Sequence, residues 1–366
     1  MNSQSSLIFA LGRLLNWLEI NAPAIAQSLQ PGLTREQIET QLQALPFRPP
    51  EEVYQFYQWR NGSSIEVTVE GKSHQTSIEL LPIHRLLSLE EAIDEYTTFC
   101  EIYSDRADSN HYLPLLADSA NYYLAKGDNR STTATIFSSN VYSDEFCFEF
   151  DSLADFIQAI AECFETGAYY LELNDTWFNW NNAKEKQIWL KYQPHHAVNV
   201  DRLLQNQIQD LSEQELQRAC FDLAISQHPQ ALPFFVQKHK EAQAEYEHLR
   251  AISEVNQTEL TLSEKLEAIE SPPQIPSLKF RPLDSIRRID SIEAIRYLFD
   301  LFKSSDLQGQ QKIIRQLNQN IGDRDVVYEA GQQDLEMIDR LRQMLQQFPG
   351  NQDMETLLQR LENKLV

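Results

Sequence analysis

The chain is poor in the residues around which reactive centres are usually built. Its four cysteines, Cys100, Cys147, Cys163 and Cys220, never approach the spacing of about two to four residues that zinc or dithiol sites use. They read as buried thiols in a reducing compartment. Only 10 glycines occur in 366 residues, and they form neither a phosphate-cradling loop nor a G-x-S-x-G elbow, so the common nucleotide-binding and serine-hydrolase signatures are missing. No run of about 18 apolar residues occurs, and no membrane-spanning helix is expected. Arg13, Asn16 and Glu19 interrupt the first apolar stretch, with no basic segment ahead of it. That argues against a signal peptide and for a cytoplasmic protein.

Basic residues are also scarce. The formal charge is −23, from 31 Lys and Arg against 54 Asp and Glu, and the first 180 residues hold 9 of the former and 26 of the latter. Such a surface repels phosphate backbones and anionic lipid, so nucleic acid and membrane are disfavoured and a basic protein is the natural partner. With 42% hydrophobic residues, the chain is nonetheless an ordinary globular one. At about 150 residues per domain its length suggests two to three domains.

Leu7, Leu11, Leu14, Leu15 and Leu18 recur at helical spacing and predict a first helix over 6–20. Thr34 with Gln37 and Ser88 with Glu91 form capping-box patterns, each opening a further helix, and Pro49-Pro50 starts another that ends at Asn61-Gly62. From Ile65 the period changes to two, predicting a strand. Strands follow over 77–82, 121–126, 132–138 and 145–150, with Phe146, Phe148 and Phe150 placed on one face. Ser152 caps a closing helix. This order predicts an α+β domain over 1–170 with an antiparallel meander sheet flanked by helices. Residues 171–200, with three of the five tryptophans, read as a bridge. Residues 201–270 read as helical, 271–282 as a Pro-rich linker, and 283–366 as helical hairpins, either solenoid or bundle, so the second half is an all-α extension.

The ordered segments Pro50-Glu-Glu-Val53-Tyr-Gln-Phe56-Tyr57-Gln-Trp59-Arg-Asn61-Gly62, then Leu80-Leu81-Pro82, Leu86-Leu87-Ser88-Leu89-Glu90-Glu91-Ala92 and Tyr112-Leu113-Pro114-Leu115 resemble the SUKH superfamily. The likeness is to its Smi/Knr branch, named for fungal cell-wall-assembly regulators. It covers about residues 15–165 and leaves the C-terminal half unrecognised. The resemblance implies a non-enzymatic protein-binding fold, used as a scaffold or regulator, or as an immunity protein that neutralises a bacterial toxin by direct binding. Phe56, Tyr57, Asn61, Gly62, Pro82 and Pro114 are expected to define the fold.

No catalytic, cofactor-binding or metal-binding residue is assigned. His195-His196 reads as a solvated loop, and the pairs Glu51-Glu52, Glu90-Glu91 and Asp144-Glu145 as solvated helix starts or turns. An enzyme with a cryptic site is the rival reading. Partner binding is expected from the acidic, aromatic sheet face, at Trp59, Glu66, Glu70, Asp144 and Glu145. The oligomeric state is left open.

Overall fold

The computed structural model describes residues 3–69, 72–77, 79–103, 111–118, 120–127, 131–141, 145–172, 177–244, 282–320, 325–332 and 334–362. The chain divides into two compact units, Met1–Pro194 and His195–Val366. The division falls inside the stretch expected to be a bridge. The fold is α+β: a curled antiparallel sheet flanked by helices, followed by a helical C-terminal region.

In the first unit, α1 (Ser3–Asn21) buries Leu7, Leu11, Leu14 and Leu18 on one stripe. It packs on α6 (Leu153–Thr166), with the Trp17 and Phe164 rings 4.7 Å apart. The predicted local signals act as expected. Thr34 Oγ1 accepts the Gln37 amide at 3.3 Å and Gln37 accepts the Thr34 amide at 2.8 Å, closing the box that starts α3 (Arg35–Leu42). Ser88 and Glu91 do the same for α5 (Leu89–Ile102). Gly167 ends α6 with φ +74, a left-handed conformation that glycine reaches without a side-chain clash.

Two sheets form where one meander was expected. β1 (Leu29–Pro31), β2 (Arg60–Val69) and β3 (Lys72–Ser77) make a three-stranded sheet. The other contains β4 (Glu79–Leu81), β5 (His84–Leu86), β6 (Tyr112–Ala117), β7 (Asn121–Lys126), β8 (Ile136–Asn140) and β9 (Glu145–Phe150), in that order and all antiparallel. Helices cover both faces of this second sheet. Tyr122 on β7 reaches Glu95 of α5, whereas its neighbour Tyr123 packs on Phe156 of α6, and consecutive strand residues point to opposite sides. Double coverage explains why every residue of β6 is buried. Pro114 sits in that strand beside a register shift, where a missing N–H does least harm to the ladder.

A bulge revises the reading of the phenylalanine strand. Phe148 pairs with Phe137 and Phe150 with Ile136, so Glu149 is an extra residue and the alternation reverses across it. Phe146 packs against Phe99 and Tyr103 on the α5 side, while Phe150 meets Phe156 and Trp189 on the other. The three rings do not share a face.

Residues after α6 stay with the first unit. The short hairpin of β10 (Tyr169–Tyr170) and β11 (Asn179–Trp180) leads into α7 (Asn182–Tyr192). Phe178 is buried 4.8 Å from Phe164, and Trp189 lies 5.2 Å from Phe150 and 6.2 Å from Tyr123.

The second unit is helical in all its described elements. α8 (Pro194–Leu204) carries His196, which is buried with Nδ1 3.4 Å from Asp222 on α9 (Glu213–Ile225), rather than lying in a solvated loop. Arg218, one turn before Asp222, donates to the same carboxylate at 3.1 Å. Residues 231–244 are helical, and 245–281, with most of the expected linker, lie outside the described residues. The hairpin expected around Ser304–Gln310 forms between Ile292–Ser304 and Leu307–Asn318, with Asp306 capping the second helix. Leu335–Gln347 and Gln352–Leu361 make another pair. Arg360 ties this region together by gripping Asp325 with 2.9 Å contacts and donating to the Leu317 and Asn320 carbonyls.

Candidate functional site

The fold-defining residues have specific structural tasks. Phe56 and Tyr57 are fully buried on α4 (Glu51–Trp59). The Asn61 side chain accepts the Leu89 amide at 2.8 Å, fixing the start of α5 from 28 residues upstream. Gly62 has φ +96, and a Cβ there would meet Ser88 N at 2.9 Å, so both conformation and space require glycine. This happens within β2 and not at a helix stop, because α4 already ends at Trp59.

The residues expected to bind a partner do not gather in one place. Trp59 packs against the core 6.1 Å from Phe56, with the Arg60 guanidinium 5.7 Å from its ring. Glu66 lies on β2 of the three-stranded sheet and Glu145 opens β9 at the far edge of the other. The side chains of both, and Glu70 and Asp144 entirely, are outside the described residues.

A different acidic feature is well defined. The β4–β5 connection is the tight turn Leu81-Pro82-Ile83-His84. The ring of Pro82 presets its own φ for the first turn position, and Ile83 then adopts φ +59, where glycine or asparagine usually stands. For a β-branched residue this left-handed conformation is a true outlier costing about 1–3 kcal/mol. Ile83 is also 43% exposed, so burial of its side chain is not full compensation.

Ile83 overhangs an open depression of about 680 Å³ lined also by Glu79, Arg85, Glu95, Ala117, Asp118 and Tyr122. Arg85 donates to Glu91 at 2.8 Å and stands 3.7 Å from Glu95, whose other oxygen accepts the Tyr122 hydroxyl at 2.9 Å. Burial and the Glu95 carboxylate push the Tyr122 phenol up to about 12, keeping it a neutral donor. Asp118 accepts the Ala120 and Asn121 amides at 2.6 and 2.7 Å, and the Asn121 side chain at 2.7 Å. Burial would raise its carboxyl, but these donors outweigh burial and hold it below the usual carboxylate range. The depression therefore keeps more negative than positive charge at neutral pH, beside an apolar projection.

His84 supports the turn from beneath. It is buried, its ring lies 4.7 Å from Tyr123, and Nδ1 donates to the Pro82 carbonyl at 3.1 Å. Burial lowers its pKa, partly opposed by that hydrogen bond and by Asp118. The unfolded chain then binds a proton more readily than the folded one below the ordinary 6.5, so folding stability falls as pH drops through that window. Urea unfolding at pH 7.5 and pH 5.5 should show a smaller stability loss in a His84→Gln variant than in the parent.

Among the described residues no cluster of His, Cys, Asp and Glu is arranged to hold a metal ion, and no described helix is long and apolar enough to cross a membrane. The chain matches no protein-family model and no curated protein.

Proposed function

We propose that the Met1–Pro194 unit is a non-catalytic protein-interaction module of the SUKH type, acting as a scaffold or regulator and docking a basic protein segment at the β4–β5 depression. The observation that carries this reading is Ile83, an apolar side chain held exposed in a costly conformation above an acid-lined hollow. Strain of that kind persists where surrounding structure enforces it, and functional surfaces are where it concentrates. Charge agrees with it: residues 1–194 carry 12 Lys and Arg against 27 Asp and Glu, a net −15, and a basic partner would be steered towards such a surface. The helical unit, with a core of its own, favours a scaffold over an immunity protein that needs only one domain. If a toxin gene adjoins this one, failure of co-expression to rescue cells would remove the immunity alternative.

Ile83→Asn tests the site. Asparagine tolerates φ +59, so the variant should gain about 1 kcal/mol of stability while losing the apolar projection. Tagged full-length parent, Ile83→Asn and Glu79→Lys chains would be used for affinity capture at low salt. A protein retained by the parent and depleted by both variants supports the reading; equal recovery by all three rejects it.

A further inference from the structure

The helical unit holds a hollow of its own, about 410 Å³ in volume. It lies between the helix over 231–244, the short helix Pro282–Ile286 and the hairpin of Ile292–Ser304 and Leu307–Asn318. Spaces of about 300–1,000 Å³ between helices, apolar with a few aimed polar groups, are where small molecules bind. Leu283, Leu301 and Ile313 supply the apolar lining here, and each belongs to the core of the unit or packs on it.

The polar lining is unequal. Ser304 and Ser305 donate their protons to the Asp300 and Leu301 carbonyls at 2.9 and 2.6 Å, and have none to offer a ligand. Lys312 has no carboxylate partner among the described residues, whereas Lys303, Arg315, Arg340, Arg342 and Arg360 each hold one. That is unusual in a unit with 27 acids against 19 bases. His239 sits beside it. Burial and the Lys312 charge lower the imidazole pKa, so at neutral pH the ring is uncharged and bears one proton. Its Nδ1 lies 3.1 Å from the Tyr297 hydroxyl, which burial keeps protonated. With that hydroxyl donating to Nδ1, the ring proton stands on Nε2, free for a ligand. On the rim, Asp306 accepts the Gly309 amide at 2.9 Å and keeps its negative charge.

We propose that this hollow binds a monocarboxylate with a hydrocarbon body, its head held by the Lys312 ammonium and the His239 N–H and its chain laid over Leu283, Leu301 and Ile313. The site lies wholly in the second unit and is independent of the docking surface on the first. One cation and one neutral donor match a single negative charge. A phosphate, with up to two charges, would leave one uncompensated near Asp306. An amine would meet Lys312 directly, and an alcohol would leave it without a counter-charge.

Equilibrium dialysis of the full-length chain against octanoate, octyl phosphate, octylamine and octanol tests head and body separately. Octanoate should bind at one equivalent, about tenfold or more tighter than the other three. Hexanoate should bind about tenfold more weakly than octanoate, because each buried methylene contributes about fourfold. Lys312→Gln should weaken octanoate binding by about tenfold or more, and Lys312→Arg should restore most of it. Lys312 is exposed, so neither variant should shift the melting temperature of the free protein. His239→Phe keeps a ring against Tyr297, removes the second donor and should also weaken octanoate binding. A chain that retains no octanoate, or retains octanol or octylamine equally well, overturns the proposal, and so does octanoate binding that Lys312→Gln leaves undiminished.

Discussion

A fragment ending at residue 170 is expected to lack cooperative tertiary structure, whereas one ending at residue 194 folds. The shorter fragment keeps every strand of the six-stranded sheet but loses Phe178, Ile188 and Trp189, all buried in the core of the first unit. Trp189 alone fills the space among Tyr123, Phe150 and Phe156. Emptying one such site costs about 3–5 kcal/mol, against a typical total stability of about 5–15 kcal/mol. Losing three exceeds what a domain of this size tolerates. The fragment also exposes the α6 surface that α7 covers and removes the Glu185 carboxylate that accepts the Tyr169 hydroxyl and the Lys191 that pairs with Glu162. Near-ultraviolet circular dichroism and urea titration of both fragments check this. A sigmoidal transition of normal slope in the shorter fragment would show that α7 is dispensable.

Glu52→Ala is expected to lose about 3 kcal/mol, and Glu52→Gln less than about 1 kcal/mol. Glu52 is buried, and a single oxygen, Oε2, accepts the Ala134 amide at 2.7 Å and the Leu153 amide at 3.0 Å. One carboxyl oxygen thus joins α4, the approach to β8 and the first turn of α6. Alanine leaves both buried donors unsatisfied, each costing about 1–3 kcal/mol, and opens a void beside them. Glutamine can place its carbonyl oxygen where Oε2 stands and keeps both bonds. The pH response separates the two forms further. Burial raises the Glu52 pKa, opposed by the amide donors, so the folded chain binds its proton more readily than the unfolded one. The stabilisation linked to that proton is complete below the ordinary 4.5 and is lost as pH rises through the raised value. In Glu52→Gln that component is absent, which denaturant midpoints between pH 4 and pH 7 can detect.

Glu52 also shows where sequence reading stops. The Thr34 and Ser88 boxes, the Ser152 cap and the first amphipathic helix depend on residues within a turn or two of one another, and all are legible from spacing. Glu52 resembles any acidic residue at a helix start, because its two partners are 82 and 101 residues away. The Phe146–Phe150 strand conceals its facing for a related reason. Strict alternation is visible in the sequence, but the bulge at Glu149 is set by pairing with β8 and reverses the face midway. Trp177, Trp180 and Trp189 among polar residues resemble a bridge until α7 is seen to bury Trp189.

The candidate site was the least legible part. The expectation of an acidic, aromatic sheet face rests on Trp59, Glu66, Glu70, Asp144 and Glu145, whereas the depression is assembled from β4, β5, β6, β7 and α5 and takes its carboxylates one at a time from separate elements. Isoleucine ordinarily signals a strand, so the left-handed turn at Ile83 has only one local cue. That cue is Pro82, a turn former, wedged between two short apolar segments.

Photo-crosslinking from position 83 probes the β4–β5 docking surface directly. A photoreactive residue replacing Ile83 in the full-length chain, expressed in its native host, should give a discrete adduct with one protein. The same residue at exposed Gln237 in the second unit should not give that adduct. An excess of unlabelled parent should abolish the adduct, and added Glu79→Lys should compete poorly. If position 83 yields no adduct beyond those seen from position 237, the β4–β5 depression is not a docking surface.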